Sequence, residues 1–155
     1  MKEILFRGMA LNGKFVEGNL SILKQDFDCI KAGCYISNKA GASFAYDVHP
    51  ETIGQYIGLK DKNGKRIFEG DIIVVVDLSA VEFFKESEVM KQEFMTRTYE
   101  VIWDKMRWAI RFLPSSKYGY NILPPYPIFP FPLEHVEIEV IGNIHENPEL
   151  LIGEK

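Results

Sequence analysis

A mainly β fold of antiparallel strands is what this sequence predicts, and three observations predict it. Glycines and Asn-Gly pairs punctuate the chain at short intervals. The apolar runs between them are too short for helices. Two stretches, residues 72–76 and 98–113, carry the β-branched run and the aromatic alternation that sheets use. At 155 residues the chain is the size of one ordinary domain, long enough to bury a core without disulfide or metal staples.

Each element follows from its own residues. EILFR (3–7) and KFVE (14–17) flank Asn12-Gly13, where the glycine supplies the positive φ of a tight turn, so the chain opens on a hairpin. GNLSIL (18–23) and CYIS (34–37) read as further strands, joined by a polar connection. Residues 52–59 are strand-like, with glycines at 54 and 58 that permit a bulge or a close backbone approach. Asn63-Gly64 turns the chain, with Asp61, Lys62 and Lys65 as a solvated rim. Residues 66–69 return, Gly70 allows a second bend, and Asp71 is placed to accept nearby backbone N–H groups as in an Asx turn. Residues 72–76 are apolar on both faces, which predicts a strand covered on each side.

Residues 77–97 change character. They are acidic and lack Gly and Pro, Ser79 and Glu82 have capping-box spacing, and Leu78 can staple against Phe83. Phe83, Phe84, Met90, Phe94 and Met95 share one broad face, which predicts a helix near 79–96 with a solvated acidic side. In TYEVIWDKMRWAIRFL (98–113), Tyr99, Val101 and Trp103 project one way. After a turn near Asp104-Lys105, Trp108, Ile110 and Phe112 do likewise, giving a hairpin with one aromatic face and Arg107 and Arg111 on the other. Residues 114–133 are crowded with proline and end in LPPYPIFPFPL, so they run extended or as polyproline II. A strand at 136–141, a break at Gly142-Asn143 and a short turn after Asn147-Pro148 complete the chain. The expected assembly of these parts is an N-terminal β region (1–50) followed by a small SH3-like or related barrel (51–155) that carries the inserted helix and the proline-rich segment.

Charge excludes one class of function. The net charge is −4 and no segment is basic: residues 1–76 hold 10 Lys+Arg against 9 Asp+Glu, 77–100 hold 3 against 6, and 101–155 hold 5 against 7. A protein that coats nucleic acid by neutralising phosphates shows a basic stretch instead. The opening MKEILFRG has no apolar core of signal-peptide length, and no apolar run is long enough to span a bilayer, so the expectation is a cytoplasmic protein without membrane association. Cys29 and Cys34 have no neighbouring ligands that would complete a zinc site, and two reduced, buried thiols are expected.

With the turns placed, GQYIGLKDKNGKRIFEGDII (54–73) and VIGNIHENPELL (140–151) resemble the hallmark blocks of the YopX-like proteins of phages and prophages. MKEILFRG and the following GKFVEG are similar to the N-terminus of that family. The resemblance implies a small, mostly β protein of the bacterial host cytoplasm that forms homo-oligomers and has no assigned biochemical activity. It carries over no catalytic residues. Segments 77–97 and 114–133 match nothing in the family pattern and read as insertions where a specialised partner surface is expected.

The chemistry-bearing residues point away from catalysis. His49, His135 and His145, with Glu51, Asp61, Glu69 and Asp71, sit in no recognised catalytic spacing, and each histidine reads as a surface or capping residue. Glu69 and Asp71 flank Gly70 closely enough to hold a divalent cation, but a turn braced by Asp71 is the preferred reading. No catalytic, metal or cofactor site is therefore assigned. Two binding surfaces remain. Tyr126, Ile128, Phe129 and Phe131 put apolar surface on a stiff extended segment that either covers an edge of its own chain or docks on another copy, a host protein or a phage protein. Arg107, Arg111, Lys117 and Tyr118, with Trp103 and Tyr120, form a second candidate set for nucleic acid, ranked below self-association because the chain is acidic and both tryptophans suit a core.

Overall fold

The computed structural model describes residues 3–38, 45–78, 96–113, 126–127 and 135–151. The chain divides into two compact units, 1–58 and 59–155. All the strand pairings described are antiparallel.

In the first unit, β1 (Phe6–Met9), β2 (Phe15–Leu23), β3 (Gly33–Ser37), β4 (Tyr46–Val48) and the start of β5 (Gly54–Lys60) lie in the sheet order β4-β3-β2-β1-β5. The opening hairpin forms around Gly13, at φ 77°, with the Ala10 N–H donating to the Lys14 carbonyl. The two apolar segments expected at 14–17 and 18–23 are one long strand, because β2 pairs first with β1 and then with β3. Ala10, Ile36 and Val48 form the buried centre, with Phe6, Val16, Leu20, Cys34, Tyr46 and Ile53 packed around it. Thr52, expected to open the strand at 52–59, instead ends a 3-10 turn that starts at Pro50. Thr52 ties that turn to β1: its hydroxyl donates to the His49 carbonyl (2.7 Å) and accepts the Met9 N–H (2.8 Å). The Arg7 guanidinium lies over the Phe15 ring, 4.9 Å from its centroid.

In the second unit, β6 (Arg66–Phe68) returns from the 61–65 turn. A five-stranded sheet follows in the order β10-β9-β8-β7-β11, from β7 (Asp71–Asp77), β8 (Thr96–Asp104), β9 (Arg107–Phe112), β10 (Tyr126–Pro127) and β11 (Val136–Asn143). The strand at 72–76 is covered as expected: Ile72, Ile73 and Val75 are buried between pairings to β8 and β11. Ile67, Phe68, Tyr99, Val101, Ile102, Ala109, Ile110 and Val140 are buried in the same unit.

Two expectations are corrected, and a third falls outside the described residues. The described strands form two open sheets and no closed barrel. Closure would need β10 and β11 to pair, yet Pro127 has no N–H to give, and the outer edge of β11 is already occupied by the 61–65 turn. The helix expected near 79–96 falls on residues 79–95, outside the described residues, while Thr96 begins β8. Gly142-Asn143, expected as a break after 136–141, is the paired end of β11, and the irregularity is a bulge between Val140 and Gly142 that leaves Ile141 as the extra residue.

Candidate functional site

Two of the carboxylates considered for catalysis or metal binding, Asp61 and Asp71, are built into the scaffold of the second unit. Asp61 was expected on a solvated rim, but it is buried. Its Oδ1 accepts the backbone N–H groups of Asn63 and Lys65, both at 2.9 Å, and its Oδ2 accepts the Val140 N–H at 3.2 Å. One side chain thus closes its own turn and holds the edge of β11, 79 residues away. The Lys62 N–H reinforces this contact by donating to the Ile138 carbonyl, and Lys62 Nζ reaches Glu139 at 2.7 Å. Burial pushes the Asp61 carboxyl pKa up, but the Val140, Lys65 and Asn63 donors together with the Lys65 charge outweigh it and hold the group below its ordinary value.

Asp71 is fully buried. It accepts the Phe68 N–H on Oδ2 (2.8 Å) and the Asn143 side-chain amide on Oδ1 (3.4 Å), and the turn-bracing role expected of it is what the geometry shows. Gly70 sits between β6 and β7 at φ 80°, where its carbonyl takes the Ile144 N–H and its own N–H reaches the Val101 carbonyl. Asn143 is also buried; its Oδ1 accepts the His145 N–H. Both oxygens of Asp71 thus accept protein donors, the arrangement of a turn brace. Among the described residues no group of three His, Cys, Asp or Glu side chains is gathered for a metal. His49 lies in the first unit, 3.8 Å from the Glu51 carboxylate; His135 and His145 are exposed in the second.

A cleft of about 210 Å³ beside this scaffold is lined by residues 59–62 and 136–138, with Lys62 and Glu137 on its walls. Among the described residues its lining includes no histidine, cysteine or hydroxyl side chain.

The β8–β9 hairpin is the part of the second unit that presents a surface. Its register pairs Tyr99 with Phe112, Val101 with Ile110 and Trp103 with Trp108, so the two sets expected on one face of the hairpin do share it. The two indoles meet edge to face with centroids 4.7 Å apart. Neither tryptophan is a core residue: Trp108 is half-buried and Trp103 is 52% exposed. The turn has two residues, Lys105 and Met106, both left-handed at φ 44° and 71°. That geometry suits a two-residue hairpin turn but favours glycine and asparagine. Met106, at its tip, is 88% exposed. A non-glycine residue held in this region costs on the order of 1 kcal/mol. Replacing Lys105-Met106 by Asn-Gly is therefore expected to raise stability by about 1 kcal/mol, read as a higher urea midpoint with an unchanged slope.

The two arginines expected to contact nucleic acid are engaged with carboxylates. Arg107 lies 4.0 Å from Asp104, and Arg111 lies 3.5 Å from Glu100 across the strand pair. Burial raises the Glu100 pKa, with Arg111 opposing and the Glu69 charge adding to the rise. Lys117 and Tyr118 lie outside the described residues, as do Ile128, Phe129 and Phe131. Of the proline-rich segment, Tyr126 and Pro127 form β10, which edges β9 opposite Ile110 and Ala109. At these two positions the segment covers an edge of its own sheet.

The exposed apolar side chains of the first unit escaped the sequence reading. At the end of the β2–β3 hairpin the Phe27 and Ile30 backbones exchange both hydrogen bonds at 2.9 Å around Asp28, at φ 52°. Lys31 Nζ and the Ala32 N–H both bond the Asp26 carboxylate. This fixed turn leaves Phe27 and Ile30 exposed, and Cys29, expected to be buried, is exposed with them. The only signal was an apolar residue flanked by aspartates in DFDCI, which reads more naturally as a loop.

A family model described as "YopX protein" matches residues 5–152. Among solved structures, the chain is similar to the crystal structure of protein EF1440 from Enterococcus faecalis, at 27% identity over 98% of this chain and 100% of that one, with a TM-score of 0.47. No curated protein matches.

Proposed function

Because the chain belongs to the YopX family, we propose that it is a phage or prophage accessory protein of the bacterial cytoplasm that works by binding, as a self-associating protein-interaction module. The observation that carries this reading is the tip of the β8–β9 hairpin. A half-exposed tryptophan and a nearly fully exposed methionine stand together on a turn held in an unfavourable conformation. Tryptophan and methionine are enriched where proteins meet. Static light scattering at high micromolar concentration tests the self-associating part, and a strict monomer would count against it. Titration of a partner against the wild type and Trp103→Ala, followed by Trp fluorescence, tests the tip; loss of tenfold or more in affinity is expected.

The second reading is a nucleic-acid-binding module, favoured by an exposed Trp103 on one face of the β8–β9 hairpin and Arg107 on the other. The carboxylate partners of both arginines weigh against it, since a phosphate would have to displace them. Titration with a fluorescent single-stranded oligonucleotide at low salt is expected to show no binding. Micromolar affinity that falls with salt and is lost in Arg107→Ala would reverse the ranking.

A further inference from the structure

We infer that the outer edge of β2 at residues 20–22 is a self-pairing edge, which adds the same edge of a second copy in antiparallel register about a two-fold axis through Ser21. The inference deepens the self-association reading and rests on it.

β2 is nine residues long, but its two sides are paired unequally. β3 covers one side from Asn19 to Leu23, while β1 covers the other only from Phe15 to Gly18. Among the described residues no strand pairs this second side beyond Gly18. Backbone groups alternate sides along a strand. The Ala10 N–H donates to the Lys14 carbonyl, so the even-numbered residues of β2 face the β1 side. The N–H and C=O groups of Leu20 and Ile22 therefore face the open edge.

Native edges are blunted by charge, proline or a bulge. Residues 19–23, NLSIL, carry no charge and no proline, and their register with β3 shows no bulge. Ile22 lies on the face that carries Leu20 and the core of the unit, yet it is 61% exposed, so the apolar face runs past the end of the core.

The occupant follows from self-complementarity. An isologous contact places a patch against itself, which an uncharged edge permits without like-charge repulsion. The nearest charges are Glu17 at one end and Lys24 at the other. Antiparallel apposition brings the Lys24 end of one copy alongside the Glu17 end of its partner, whereas parallel apposition would set like beside like. Centring the pair on Ser21 sets Leu20 opposite the partner's Ile22, and the reverse, so that all four outward groups of each copy are used. A register centred on Leu20 would need Gly18, which β1 already holds.

In this register Ser21 faces the partner's Ser21 as a non-hydrogen-bonded pair, with Cα atoms about 4.5 Å apart, within disulfide reach. The test uses the full chain in a Cys29→Ser background, which removes the exposed native thiol. Mild oxidation of Ser21→Cys is expected to give a covalent dimer that the background protein does not form. Ile22→Lys, at an exposed position, is expected to weaken dimerisation at least tenfold in sedimentation equilibrium while its circular dichroism stays that of the wild type. An oligomeric wild type whose mass Ile22→Lys leaves unchanged, and which Ser21→Cys does not crosslink, overturns the edge but not self-association. A wild type that stays monomeric at high micromolar concentration overturns both, and gives the edge to another occupant such as an extended peptide of a different protein.

Discussion

Asp71→Ala is expected to lower the stability of the protein by about 3 kcal/mol, the largest effect of any single polar substitution in the second unit. The carboxylate is fully buried and joins two strands that are far apart in sequence. Its removal leaves the Phe68 N–H without the oxygen it meets at 2.8 Å and the Asn143 amide without its acceptor, both in an interior from which water is excluded. A buried donor left unsatisfied costs about 1–3 kcal/mol, and the void left by the carboxyl group adds to that. Asp71→Asn keeps the volume and one acceptor oxygen, so roughly half the loss is expected. Urea unfolding of the three proteins measures the series as a fall in midpoint at constant slope. Equal stability of Asp71→Ala and the wild type would show that the link between β7 and the end of β11 carries no energy.

The second large effect is expected at Asp61. Asp61→Ala removes the acceptor for three backbone N–H groups, including that of Val140 on the edge of β11, and a loss of about 2–3 kcal/mol follows. Asp61→Asn is expected to fare little better, because its NH₂ must face either the Val140 donor or the two turn donors. The same contact makes stability depend on pH. The folded protein holds the Asp61 carboxyl below its ordinary value, so the stabilisation is fully present above the unfolded pKa, near 4. As the pH falls below that, the unfolded chain takes up the proton first and stability declines. The contribution is gone once the pH has passed through the lowered folded value. Thermal melts from pH 6 downwards are expected to show this acid-induced loss in the wild type and a shallower one in Asp61→Asn. Parallel pH profiles would show that the carboxylate of Asp61 is not preferentially stabilised by folding.

The two substitutions explain what the conspicuous sequence blocks accomplish. GLKDKNGKRIFEGDII and the stretch from Ile138 through VIGNIHENP are sewn to one another: Asp61 to Val140, Lys62 to Ile138 and Glu139, Gly70 to Ile144, and Asp71 to Asn143. The turns were legible because Asn63-Gly64 and Gly70-Asp71 declare themselves locally. The partners were not, because a carboxylate that accepts N–H groups from its own turn has the same sequence signature as one that also reaches a strand 79 residues on. That is how Asp61 was read as solvated and proved buried.

The candidate surfaces divide in the same manner. Periodicity alone placed Trp103 and Trp108 on one face of one hairpin, and the register then set them opposite each other. Their exposure was misjudged, because a period-2 pattern says which residues share a face but not where along the strand the covering layer stops. The exposed Phe27 and Cys29 failed for a related reason, since only the bonds between Phe27 and Ile30 and those to Asp26 fix that turn as a rigid end instead of a loose connection.

The sequence by itself determined that this chain is made of short antiparallel strands, where most of the turns lie, and to which family it belongs, because glycine geometry, side-chain alternation and motif order are local properties of the residues. Only the tertiary structure decided that the described sheets stay open, that Asp61 and Asp71 fasten the last strand, and that no strand among the described residues pairs one side of the far half of β2. These outcomes depend on which backbone groups remain after every pairing has formed, and that remainder is set by all the strands together.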